Sequence, residues 1–185
     1  MADEAGDVTS PALLLRDFVN TRDVECDADE LATPAKLAGW LAARDLVPAR
    51  AHADPKDLAM AKALREGLRA AMLAHHGPAV DELPPELDAA LASLPLRVRL
   101  NGTAPALEPL RTGTATAGLA RLAAAVMEAA SDGSWPRLKV CLEDSCRWAF
   151  LDTSKNRSRN WCSMRVCGNR TKTRTYRARR RTVGS

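Results

Sequence analysis

Apolar residues recur at helical spacing through most of the first 130 positions of this chain. In ALLLRDFVNTR, residues 12–22, Leu14, Leu15, Phe18 and Val19 share one face and predict a first helix. Residues 33–45 open with Thr33-Pro34, a cap followed by a first-turn proline, and place Leu37, Trp40 and Leu41 on one side. Asp54-Pro55 repeats the start signal. The helix it opens should run to about His76, ahead of Gly77-Pro78, with Leu58, Ala61, Leu64, Leu68 and Met72 as its stripe. After a proline-rich connection, Glu86–Leu94 reads as a short helix. Leu96–Leu100 (LRVRL) then alternates, Asn101-Gly102 signals a tight turn, and Pro105–Leu110 supplies a returning strand that its prolines confine to an edge. Thr116–Ser131 is an alanine-rich amphipathic helix closed by Asp132-Gly133.

Beyond Gly133 the periodicity breaks down. Leu138-Lys139-Val140 leads into Cys141 and Arg147-Trp148-Ala149-Phe150 leaves Cys146, which predicts two short strands flanking a turn. A polar, basic stretch (DTSKNRSRN) leads to Trp161-Cys162. No proline interrupts the chain from Cys162 to Arg181, so a helix is expected from about Cys167. The expected fold is α+β, with a mainly helical N-terminal domain over residues 10–132 that carries a small hairpin. A treble-clef-like module over residues 134–185 follows and ends in a basic helix.

Composition agrees with this. Of 185 residues, 46% are hydrophobic but only 4% aromatic, and alanine and leucine supply most of the apolar share, which favours helix over sheet. No apolar run approaches the roughly 18 residues a membrane span needs. The acidic start MADEAGDVTS lacks the basic-then-apolar pattern of a secretory signal. A cytoplasmic, nucleoid-associated protein without a membrane partner is expected.

Five cysteines occur: Cys26 alone, then two C-x4-C pairs, Cys141/Cys146 and Cys162/Cys167. Two disulfides are the alternative reading, but cytosolic thiols stay reduced, so clustered pairs at this spacing point to metal ligands. Four thiolates suit tetrahedral Zn²⁺, and a fully protein-ligated site is structural, so one structural zinc is expected. Cys26, far from the others, is expected as a small buried apolar filler.

Charge is split unevenly. Residues 153–185 hold eleven Lys or Arg and no acidic residue, whereas residues 1–152 carry a net charge of −7. A solvated tail is one reading of such a run; contact with a polyanion is the other. Arg170, Arg174, Arg177 and Arg181 share a helical face, and Lys172, Arg179 and Arg180 make the helix basic nearly all round. Arg157 and Arg159, before the second cysteine pair, form a second basic strip. Thr171, Thr173, Thr175 and Tyr176 add short donors suited to phosphate oxygens. Trp148, Phe150 and Trp161 are expected to pack as a small apolar core of the module, with base stacking as the alternative. Gly168 would let the backbone close around the Cys167 sulfur.

The run from Trp135 to Arg181, including CLEDSCRWAFLDTSKNRSRNWCSMRVCGNR, resembles the CGNR-type zinc finger, named for the tetrad that here is Cys167-Gly168-Asn169-Arg170. The resemblance implies zinc on Cys141, Cys146, Cys162 and Cys167. Bacterial proteins of this type usually carry an N-terminal ABATE domain and are described as stress-induced transcription regulators. LLLRDFVNTR, TPAKLAGWLAARDLV and the Ala/Arg-rich helix that follows resemble that domain.

The leading functional expectation is a DNA-binding transcription regulator whose body senses a small ligand or mediates homodimerisation. RNA binding is the second. An enzyme using the body is the third and is not favoured, since no Gly-rich phosphate loop, HExxH or GxSxG motif appears. No catalytic residue is expected. His75-His76 point about 100° apart on a helix and suit a partly exposed C-terminus better than a ligand pair. Asp17, Asn20, Arg22 and Asp23 are expected on the solvated face of the first helix, with a pocket lining as the alternative.

Overall fold

The computed structural model describes residues 10–77, 82–102 and 104–174. α1 (Pro11–Val19) buries Ala12, Leu15, Phe18 and Val19 and ends at Asn20. Arg22 and Asp23 therefore leave the helix and form β1 (Arg22–Asp23), paired antiparallel with β2 (Ala28–Asp29). Local polar chemistry stops the helix: the Asp23 carboxylate accepts the Cys26 N–H at 3.0 Å, and Asp27 sits at a positive φ of 54°. Cys26 lies in this acidic turn and is exposed, which corrects the expectation of a buried filler.

α2 (Pro34–Ala42) starts where Thr33 caps the Lys36 N–H, and α3 (Pro55–Ala74) starts with a reciprocal Asp54–Asp57 capping box. α4 (Pro85–Ala92) lies close against α3 because Gly67 has no side chain; a Cβ there would stand 2.6 Å from the Leu87 Cβ. β3 (Leu96–Asn101) and β4 (Ala104–Pro109) pair from Leu96↔Pro109 to Asn101↔Ala104, and Gly102 turns the chain at φ 63°. The hairpin has only two strands, so both prolines fall where no ladder partner is lost. α5 (Ala115–Ser131), capped by Thr114, packs along α1 and β4.

After the single turn Trp135–Arg137, β5 (Leu138–Val140) pairs with β6 (Ala149–Leu151). Leu138, Val140 and Ala149 are fully buried and belong to the same core as Leu15, Phe18, Leu64, Met72 and Leu119. The C-terminal module thus shares the body's core. The expected separate aromatic core is corrected: Trp148 is 38% exposed and Trp161 packs on the cysteines. Two three-residue strands cannot bury a face by themselves, so they use that of the body. Among the described residues, no helix is long and apolar enough to cross a membrane.

Candidate metal centre and its basic flank

β5 delivers Cys141, the turn after it Cys146, and the following loop Cys162. A π-type helical turn, Met164–Gly168, presents Cys167 and runs on as helix over residues 169–174. The four sulfurs all lie within 4.8 Å of one another. Cys162 Sγ stands 3.7 Å from both Cys146 Sγ and Cys167 Sγ. Four thiolates about 2.3 Å from a tetrahedral zinc stand ~3.8 Å apart, whereas a disulfide would need about 2.05 Å. All five cysteines are free thiols, so the disulfide alternative falls. Burial pushes the Cys162 thiol up, with Cys141 and Cys146 adding repulsion, and burial likewise raises Cys167 to about 12. Cys162 and Cys167 thus resist ionising until a cation compensates their charge, and the soft, closed S4 donor set fits one structural Zn²⁺.

Backbone geometry builds the first knuckle. The Cys146 and Arg147 N–H groups both donate to the Glu143 carbonyl, at 2.9 and 3.1 Å, and Arg147 takes the left-handed φ of 52° that reverses the chain into β6. At the second knuckle a Cβ on Gly168 would fall 2.5 Å from the sulfur of Met164, the end of an exposed and flexible side chain that could swing aside.

The body holds the first knuckle through polar groups as well as through its core. Asn20 is nearly buried, and its amide imitates a strand, accepting the Ala149 N–H at 2.7 Å and donating to the Ala149 carbonyl at 2.9 Å. Arg69 donates to Val19 O at the end of α1 and to Arg147 O beyond Cys146, at 2.7 and 2.8 Å. His75 Nδ1 and His76 Nε2 donate to the Leu138 and Val140 carbonyls at 2.6 and 2.9 Å. Burial lowers both histidine pKa values, as suits neutral donors. Both stand partly exposed at the C-terminal end of α3, as expected, and there they clamp β5. Asp17 and Asn20 do line a cleft, of about 550 Å³, with Arg16, Arg44, Trp148 and Cys162, while Arg22 and Asp23 do not. Asn20 is taken from solvent by its contact with β6.

Two buried carboxylates organise the second knuckle. Asp152 accepts from Lys139 Nζ at 2.8 Å, from the Arg159 N–H at 3.0 Å and from Ser154. Burial alone would raise its pKa, but these donors hold it far below the carboxylate range. Glu143, wholly buried between Cys141 and Cys146, accepts from Arg174 Nη1 at 2.8 Å, Thr171 Oγ1 at 2.9 Å and Ser145 Oγ at 3.1 Å. Those donors outweigh its desolvation and keep it ionised. Neither role is marked in the sequence, although an acid between two ligand cysteines in a basic segment is the available signal.

The expected nucleic-acid residues fall into four groups. Arg157 and Lys172 are exposed. Arg170 and Arg174, expected on one helical face, are both exposed and also reach acids: Arg170 pairs with Glu25 of the β1–β2 turn at 2.8 Å, and Arg174 with Glu143. Arg159 lies over the Phe150 ring at 4.9 Å and donates to the Cys162 carbonyl at 2.7 Å. Arg177, Arg179, Arg180 and Arg181, with Thr175 and Tyr176, lie outside the described residues. Arg165, not singled out by the sequence, is exposed between the second pair of cysteines.

Among curated proteins none matches the chain. Two families do. The CGNR zinc finger matches residues 137–180. The ABATE family, described as "Putative stress-induced transcription regulator", matches residues 13–133. A shared core, a four-cysteine cluster with zinc geometry and these matched segments lead to one assignment: the chain belongs to the ABATE family and carries a C-terminal CGNR zinc finger.

Proposed function

We propose that this protein is a DNA-binding transcription regulator. The zinc finger, residues 134–185, contacts the duplex, and the body, residues 10–132, senses a small ligand or mediates homodimerisation without catalysis. The carrying observation is the confinement of eleven Lys or Arg and no acid to residues 153–185, mounted on a four-cysteine cluster. Exposed Arg157, Arg165 and Lys172 offer guanidinium and ammonium groups to phosphates, and the cysteines hold the segment that carries them. The full chain is the right test object, because β5 and β6 share the body's core. Fluorescence anisotropy with duplex DNA should show binding whose log–log salt slope is near −5, for about six phosphate contacts. Absence of salt-dependent binding to any duplex would end this reading.

RNA binding is the second reading, and Trp148 favours it: an indole 38% exposed beside the knuckle is available to stack on an unpaired base. Competition between matched duplex DNA and RNA, with Trp148→Ala, separates the two.

A further inference from the structure

The body carries a net charge of −7 up to residue 152, yet one of its faces is cationic. A cleft of about 520 Å³ opens between α1, α5 and the β3–β4 hairpin, within the ~300–1,000 Å³ typical of small-molecule sites. Leu14, Leu46, Leu107, Ala124 and Ala125 supply its apolar lining. Arg97, Arg99 and Arg121 stand at its edge with Glu108 and Glu128. Arg97 and Arg99 share a single carboxylate, Glu108, at 3.6 and 3.2 Å. Arg121 donates to the Asp45 carbonyl at 2.7 Å and, among the described residues, pairs with no acid. A second cleft shares Leu46, Pro109, Thr112 and Arg121 with the first and adds Arg50 and Arg111. Across both, five arginines face Asp45, Glu108 and Glu128.

We propose that this arginine-rimmed cleft binds an amphiphilic anion, with a carboxylate or phosphate head held by Arg99 and Arg121 and an apolar body lying on the Leu and Ala lining. Guanidinium groups short of carboxylate partners favour the anionic head, because their planar forks match its oxygens two at a time. The apolar lining favours a hydrocarbon or aryl body over inorganic phosphate or a nucleic-acid backbone, which would leave it uncovered. The assignment rests on the reading of the body as a sensor and names the class of molecule it senses. α1 runs from this cleft to the finger: Leu14 lines the one and Asn20 clamps Ala149 of the other.

The test is calorimetric titration of the zinc-loaded full chain with dodecanoate below its micellar concentration, without nucleic acid, so that a failure of DNA binding does not touch it. One dodecanoate should bind per chain, while dodecanol and dodecylammonium should not. Arg99→Gln and Arg121→Gln should each weaken binding about tenfold, the effect of losing one charge-assisted contact. Lys56→Gln, on an exposed turn of α3, should leave it unchanged. Arg99 is half exposed, so its variant folds even where the Arg121 variant does not. Three results each overturn the proposal: no binding, equal binding of dodecanol, or indifference to both arginine variants.

Discussion

The two halves of the zinc finger are held by different forces. Residues 138–151 lie in the body's core: Leu138, Val140 and Ala149 are fully buried, and Asn20, Arg69, His75 and His76 satisfy the backbone around them. Over residues 152–174 only Asp152, Cys167 and Gly168 are buried. That half bends back through polar clasps, Lys139–Asp152 and Glu143 with Thr171 and Arg174, and through two of the four metal ligands. Apolar burial stabilises by about 25 cal/mol per Å², so a segment with almost none must draw its order from elsewhere. A finger can thus be half an extension of its host domain and half a metal-dependent attachment.

The sharpest way to break this comparison is to remove the metal. Structural zinc contributes about 10–16 kcal/mol in finger peptides, the largest single effect available here. Chelation, or Cys162→Ser, should abolish amide-exchange protection over residues 152–174 and leave β5 and β6 protected. If both halves lost protection together, the finger would be one unit and the distinction would fall.

The converse change acts on the other half. Leu138→Ala removes a wholly buried side chain from the shared core and should cost about 2–5 kcal/mol in urea unfolding of the whole chain. Zinc stoichiometry should stay at one. Loss of zinc with unchanged core stability would reverse the assignment.

Acid should act on the body. Arg65 grips Asp29 at 2.7 and 3.1 Å and, with the Leu31 N–H, holds its carboxyl at about 2, against about 3.9 unfolded. The folded value is depressed, so this stabilisation is present above pH ~4 and is lost as pH falls towards 2. It amounts to at most about 2 kcal/mol. Asp29→Asn should flatten that part of an acid titration followed by circular dichroism.

The smallest effect concerns the exposed Arg170–Glu25 pair. Glu25→Gln should leave thermal unfolding unchanged and raise duplex affinity by no more than about fivefold, by freeing a guanidinium. A measurable loss of stability would make the β1–β2 turn a structural support of the finger.

Much of this molecule is legible from short stretches of chain. Thr33-Pro34, Asp54-Pro55 and Asn101-Gly102 place two helix starts and a hairpin turn, because capping and turn chemistry act over three or four residues. The two C-x4-C pairs specify their metal for a similar reason: four soft thiolates gathered by short spacings suit a tetrahedral Zn²⁺. The ranges of α3, α5 and the β3–β4 hairpin follow from apolar periodicity. The errors share a cause. Asn20 read as a solvated polar residue and Cys26 as core, and the acids that Arg170 and Arg174 reach went unread, because neither periodicity nor composition names what a side chain meets. Their partners, Ala149, Glu25 and Glu143, lie 129, 145 and 31 residues away. The sequence by itself determined the helices, the turn and the four-thiolate site, all products of local chemistry. Only the tertiary structure decided that the first knuckle belongs to the body's core and that two finger arginines meet acids, because long-range packing chooses which buried surface and which charge each element meets.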